Sequence, residues 1–324
     1  MGTYKALKGR KVKSLSSDPT ANAASSGQMW YNTTSGALKY TGSGTGAWST
    51  GGDMATRRKD AQGAGTSATN QLVCGGTNVW PSGGLESTEI YNGTSWAEAN
   101  NINGGRFQGG GFGSVSSAII VGGAKPYPTV TTNCEQYNGT SWVEVNDANN
   151  ANLLGFATGT TSSGIVPIND DCEYWNGTCW SDVNTLSEGR DNITMCGSGT
   201  AALAIDGAPA TTNVEDWNGT CWTEIIDNTT GRYHGSAGGT PASAVLCSGT
   251  AVTGYPFNFV EWFNGSAWSE VADTTQIRQA CTGSGTSASM ITVGGYTAPP
   301  ADTYLKSCEE WSQPVYAVKT VTVS

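Results

Sequence analysis

Charge, imidazole and long apolar runs are all scarce in this chain. Only 13% of its 324 residues are charged, against the ~25% usual in globular domains. There is one histidine, His234, and no Cys-x-x-Cys pair, so the common His-rich and thiolate metal sites cannot be built and neither metal nor cofactor is expected. His234 itself reads as a structural or surface residue. No stretch approaches the ~18 continuous apolar residues of a membrane helix. The start, MGTYKALKGRKVKSLSSD, is basic with no apolar segment behind it, and Ala6 breaks the myristoylation pattern. Neither secretion nor membrane insertion is expected. The net charge is −10, yet the first 17 residues carry Lys5, Lys8, Arg10, Lys11 and Lys13 without one acid, so the rest is more acidic still. Such a body repels phosphate backbones, which excludes a nucleic-acid partner.

What is present favours strands and turns. Glycine is abundant at 45 residues, with 12 Trp and 12 Tyr among Thr-, Ser- and Asn-rich stretches, and 37% hydrophobic residues can support a core. One segment returns along the chain: EIYNGTSW from Glu89, EQYNGTSW from Glu135, EYWNGTCW from Glu173, EDWNGTCW from Glu215 and EWFNGSAW from Glu261, with a shortened EEW from Glu309. Asn-Gly between aromatic-rich runs predicts a hairpin with a two-residue type I′ turn. That register sets Tyr91 opposite Thr94 and Glu89 opposite Trp96, with Tyr91 and Trp96 on a diagonal.

Two further elements share the repeat. Apolar runs end in small residues (LVCGG at Gly76, IIVGG at Gly123, LAIDG at Gly207, VLCSG at Gly249, ITVGG at Gly295, and a degenerate IVPIND at Asp170). Each follows a Gly-rich strand opened by Arg58, Arg106, Arg190, Arg232 or Arg278, with Asn152 or Leu153 at that place in the third unit. The Glu-to-Trp and Trp-to-Arg spacings are constant, whereas the segment between the small-residue exit and the next Glu varies from two to thirteen residues. Four strands per unit at this period is the arithmetic of a propeller blade. The units number six, and the last lacks its Trp-bearing strand, so Trp48 in GAWST is expected to pair with the strand of Trp311 and close the ring.

These residues resemble the kelch repeat, with a tighter Tyr-to-Trp hairpin than the family's. The fold so implied is all-β, a six-bladed kelch-like β-propeller whose extended N-terminal arm closes the last blade. The expected division is a basic extended attachment arm over 1–27, a hairpin and ring-closing strand over 28–52, the propeller over 53–315 and a C-terminal tail strand over 316–324. The segment QMWYNTTSGALKYTGSGTGAW from Gln28 is similar to a short hairpin of bacteriophage fibre and virion proteins, and with the Ser17-Asp18-Pro19 turn and the blades it resembles kelch-like structural proteins of marine bacteriophages. That resemblance implies a non-enzymatic virion protein, made in the bacterial host cytoplasm. It would be held to other virion proteins through Lys5, Lys8, Arg10, Lys11 and Lys13, and displayed for binding host-surface polysaccharide or another receptor. Alternatives are a virion-associated glycan hydrolase, since NGTSW resembles part of the sialidase Asp-box turn, and a non-viral secreted adhesin or lectin.

The expected binding face carries the long variable loops, opposite the Asn-Gly turns, with Trp80, Pro81, Tyr127, Pro128, Tyr255, Phe257 and Tyr296 as candidates. Exposed aromatics beside prolines offer contact area at low entropic cost. No catalytic residue is expected; the recurrent arginines read as structural partners of the recurrent glutamates. Seven of the nine cysteines fall at three shared blade positions (Cys134, Cys172 and Cys308; Cys179 and Cys221; Cys74 and Cys247), too far apart to bridge, and the cysteines read as free buried thiols.

Overall fold

The computed structural model describes residues 12–21, 25, 27–43, 46–79, 83–150, 156–168, 171–297, 303–313 and 316–321. They contain seven four-stranded sheets, not six. Six lie in a unit spanning Ala47–Ser312, and the seventh lies in a second unit made of Met1–Gly46 and Gln313–Ser324. The six-bladed expectation therefore undercounts the sheets. The seventh is a single copy built from the two ends of the chain, so no repeat announces it.

The first sheet of the large unit shows the pattern. Its strands are Gln62–Ser67, Asn70–Cys74, Thr88–Tyr91 and Trp96–Ala99, antiparallel in that order. Leu72, Val73 and Cys74 of the second strand are all fully buried, because both faces are covered by neighbouring sheets. Hydrophobic clusters join consecutive sheets: Leu72 and Cys74 pack with Ile120 and Trp142, Ile119 and Val121 with Val166 and Trp175, and so on around the ring. The last joins Ile291 and Val293 to Val73 and Tyr91, so the series closes. Each buried aromatic or aliphatic side chain contributes roughly 1.5–3 kcal/mol.

The innermost strands are rich in glycine because they converge. A Cβ on Gly111 would stand 2.8 Å from the Gly63 carbonyl oxygen of the adjacent sheet. Closure is by strands from distant parts of the chain. Ala47–Thr50 pairs with Cys308–Ser312, placing Trp48 opposite Trp311 with ring centroids 5.4 Å apart. The Trp48 indole N–H also donates to the Ala272 carbonyl, 2.9 Å away.

The hairpin register differs from expectation. Tyr91 lies directly opposite Trp96 and Glu89 opposite Glu98, with the Tyr91 and Trp96 rings 5.0 Å apart. The Asn92 side chain is the reason: its Oδ1 accepts the N–H groups of Thr94 and Ser95, which places Asn92 before the bend and Gly93, at φ 90°, inside it. Asn138, Asn176, Asn218 and Asn264 do the same.

In the smaller unit the sheet order is Lys13–Leu15, Met29–Asn32, Ala37–Ser43 and Tyr316–Thr320. The first pair is parallel, and the middle pair is the hairpin read from the sequence. Asp18 ties it together, accepting from Trp30 Nε1, Asn32 Nδ2 and Lys39 Nζ.

Candidate functional site

In each sheet of the ring, the loop from second to third strand and the loop into the first strand emerge on one side, opposite the Asn-Gly turns. What fixes this face is a set of buried ion pairs. Arg58 meets Glu89 at 2.7 Å, Arg190 meets Glu215 at 2.9 Å and Arg278 meets Glu309 at 3.0 Å; Arg106–Glu135 and Arg232–Glu261 are equivalent. Each glutamate also accepts loop donors. Glu89 takes the N–H groups of Ala55 and Thr56, and Glu309 those of Thr275 and Gln276. Glu173 has no arginine partner among the described residues and takes the N–H groups of Asn149 and Asn150 alone. The recurrent arginines are thus spent inside the fold and offer no free cation to a ligand.

The Gly-Gly exits link neighbouring sheets. The N–H of Gly76 donates to the Arg106 carbonyl, Gly207 to Arg232 and Gly249 to Arg278, and Gly295 completes the circuit on Arg58. Gly76 and Gly295 have φ of 84° and 88°, which other residues adopt only with strain.

Two positions after each arginine lies a set that the sequence reading passed over. Asp60, Gln108, Asn192, His234 and Ala280 occupy this register, and Phe156 fills it in the third sheet. The first five all have positive φ, between 51° and 60°, although none is glycine. A left-handed backbone costs such residues about 1–2 kcal/mol apiece, somewhat less for Asn and Asp. Their backbones bond hand to hand around the axis: Gln108 N–H to Asp60 O, Asp60 to Ala280, Ala280 to His234 and His234 to Asn192. The side chains line a narrow cleft of about 20 Å³, room for a water or two, which Ala61, Gly109 and Cys281 complete.

Several polar atoms there make no hydrogen bond within the protein. They are Gln108 Oε1, Asn192 Oδ1 and both ring nitrogens of His234. Asn192 is 8% exposed, and the imidazole nitrogens are shut off from solvent although His234 as a residue is only partly buried. Asp60 pairs with Lys59 at 3.2 Å, and Lys59 in turn lies over the Tyr296 ring. Burial pushes the His234 imidazole below its ordinary value, Asp60 pulling it up and Lys59 pushing it down. The residue is therefore neutral at pH 7. The sequence signal for this set was the fixed offset from the arginines, which the eye passes over because the residue type differs in every unit.

The loop candidates are distributed unevenly. Tyr127 and Tyr255 are 52% and 61% exposed, and Pro128 is exposed beside Tyr127. Phe257 lies under the Arg232 guanidinium at 4.8 Å and against Phe259, and Tyr296 packs near Tyr304, so these two are partly spent on their own loops. Trp80 and Pro81 fall outside the described residues, as do Lys5, Lys8, Arg10 and Lys11; Lys13 opens the first strand of the small sheet.

All nine cysteines are free, with Cys179 exposed, Cys221 half-buried and the other seven buried. Among the described residues no group of three or more His, Cys, Asp or Glu could hold a metal ion, and no helix is long and apolar enough to cross a membrane.

No family model matches the chain, and no curated protein matches it. Among solved structures it is similar to that of the bacterial protein YjhT, with a TM-score of 0.67 at 12% identity, covering 82% of this chain and 99% of that one. That likeness carries the all-β propeller fold. It also corrects the expectation of a non-enzymatic protein. That reading rested on the kelch resemblance and the shortage of imidazole; a propeller matched to YjhT, with a polar cleft on its axis, gives no ground for excluding catalysis.

Proposed function

We propose that this chain is a carbohydrate-directed propeller of a bacteriophage particle, engaging host-surface polysaccharide on the face that carries the variable loops. The observation that carries the reading is the asymmetry of the two faces. One presents uniform Asn-Gly turns; the other presents loops of differing length with Tyr127 and Tyr255 projecting beside Pro128 and Pro256. Tyrosine suits sugars, since its ring packs on C–H surface while its hydroxyl bonds to ring substituents. The small unit, with its basic leading segment, would join the propeller to other virion proteins; this part rests on the resemblance of its hairpin to virion proteins.

A second reading is favoured by the axial cleft: the polysaccharide is cleaved as well as held. A carboxylate, Asp60, and a neutral imidazole, His234, both line that cleft. The arginines being committed to glutamates, the sugar so processed would be uncharged, not carboxylated as in sialidases. Sedimentation of the protein with insoluble host polysaccharide, followed by sizing of the soluble polymer, tests both. Retention that disappears in Tyr127→Ala/Tyr255→Ala supports the loop face; shortening of the polymer supports cleavage. No retention by the unaltered protein sinks the carbohydrate reading.

A further inference from the structure

Charge divides along the same boundary as the fold. Residues 1–46 and 313–324, which make the small unit, carry seven Lys and Arg and one acid, Asp18, a net charge of +6. Residues 47–312 hold the other nine basic residues against 25 acids, a net charge of −16. Five of those nine, Arg58, Arg106, Arg190, Arg232 and Arg278, are buried in ion pairs, so the outside of the propeller has little positive charge of its own. One chain therefore carries two units of opposite sign.

The small sheet has a covered face and an open one. Trp30 and Asn32 are buried on the first, bonded to Asp18. Alternation puts Met29 and Tyr31 on the other, 47% and 42% exposed, with Tyr40 directly opposite Met29 and Leu38 opposite Tyr31. Lys319 lies opposite Tyr40 on the last strand and is exposed, which adds a cation to the same face. Large apolar side chains left open beside a positive charge suit an acidic protein surface. Strand addition is the less favourable mode, because each edge strand of this sheet carries an exposed lysine, Lys13 or Lys319.

The propeller has such an acidic surface. The outermost strand of five sheets carries an exposed acid two positions after its tryptophan: Glu98, Glu144, Asp182, Glu224 and Glu270. Each stands directly opposite the buried glutamate of the neighbouring strand. Like charges so placed destabilise a sheet, so folding alone does not call for an acid at this position. The closing strand has Thr50 there, opposite Glu309. Repulsion between like signs disfavours two small sheets face to face and two propeller walls side by side. The remaining combination joins the small sheet of one copy to the wall of another.

We infer that copies of this chain associate head to tail, the open sheet face of Met29, Tyr31, Leu38, Tyr40 and Lys319 docking on the acidic outer wall of a second copy's propeller. Each copy uses two different surfaces, so the assembly closes into a ring of copies or extends as a chain. The inference is independent of the carbohydrate reading, which the polysaccharide assay tests by itself.

Sedimentation velocity of the full chain tests this over a range of protein concentrations in about 0.1 M and about 1 M sodium chloride, where the screening length falls from about 10 to about 3 Å. The expected sedimentation coefficient rises with concentration at the lower salt and stays that of the monomer at the higher. Two variants localise the contact: Met29→Ser/Tyr31→Ser on the sheet face, and Glu98→Gln/Glu144→Gln/Glu224→Gln/Glu270→Gln on the wall. All six positions are exposed, so both variants are expected to fold, which circular dichroism and the urea midpoint check. Each should weaken association roughly tenfold or more. Mixing the two should restore it between unlike variants, since one keeps its sheet face and the other its wall. The salt dependence of the unaltered chain stands as a test whatever the stability of the variants. A monomer at every concentration and salt, association that survives about 1 M salt, undiminished association in either folded variant, or no recovery on mixing overturns the inference. So does a monomer that sediments with phosphatidylserine vesicles, which would give the basic unit a lipid partner in place of a second copy.

Discussion

Replacing Glu135 by Gln tests whether the buried ion pairs hold the loops of this face. Arg106 and Glu135 are each 1% exposed. The carboxylate bonds to Arg106 Nη2 through one oxygen, and through the other accepts the backbone N–H and the side-chain amide of Asn103, both at 2.8 Å. A glutamine has one oxygen for these two sets of donors and must turn its NH2 toward one of them. The guanidinium then keeps only the carbonyls of Gly104 and Asn133 as partners and stays charged and buried. Uncompensated burial of that kind costs about 3–5 kcal/mol. Glu173 is the internal control. It takes two backbone N–H groups at 2.8 Å but no arginine, so Glu173→Gln loses one charge-assisted bond, worth about 1.5–3 kcal/mol. Removing both charges, in Arg106→Met/Glu135→Leu, should recover much of the loss. Urea unfolding followed by tryptophan fluorescence gives the midpoints, with unchanged slopes required for a fair comparison. Equal losses at Glu135 and Glu173, or a double variant no more stable than Glu135→Gln, would refute the reasoning.

Three other outcomes follow from the same structure. Removing residues 1–46 should leave a folded propeller, whereas removing 1–50 takes the Trp48 strand from Trp311 and should give aggregation through the exposed edge, read by size-exclusion chromatography. Asp18, held at about 2 by hydrogen bonds from Lys39, Asn32 and Trp30, stabilises the small sheet fully above about pH 4 and loses that contribution as pH falls through about 2. The Trp30 indole N–H resonance should report this loss, and Asp18→Asn should abolish its pH dependence. Cys179 and Cys221 should react with a thiol reagent in the native protein, while Cys74, Cys134, Cys172, Cys196 and Cys247, pushed up to about 12 by burial, should react only on unfolding. Fast reaction of more than two thiols would contradict the burial described.

Legibility followed repetition. The Arg–Glu partnership, the Gly-Gly exits and the pairing of Trp48 with Trp311 could be read from spacing because each is a relation repeated several times, and the missing sixth copy pointed to its replacement. The small sheet could be read only in pieces, as a hairpin and a separate C-terminal strand, and not as one sheet. Its last strand, Tyr316–Thr320, pairs with Ala37–Ser43 across nearly the whole chain, and no second copy of either exists to mark the pattern. The Asn-Gly register failed for a local reason: the two-residue turn treats Asn as backbone in a left-handed conformation, whereas here its side-chain oxygen captures the next two amides and moves the bend by one residue.

The axial set illustrates the converse. Scaffold positions in a repeat are recognised by sameness, as with Glu89 and its five counterparts; the ring at the arginine-plus-two register has one backbone conformation at five of its six positions and side chains that differ from sheet to sheet. Similar main chain with diverse side chains makes the centre of a near-symmetric scaffold chemically asymmetric. A ring of identical residues would offer rotationally equivalent contacts, whereas Asp60, Gln108, Phe156, Asn192, His234 and Ala280 offer a carboxylate, two amides, an aromatic ring, an imidazole and a methyl in a fixed order. His234 is one member of that ring, at a position constant in spacing and variable in residue type, which recurrent letters alone do not mark.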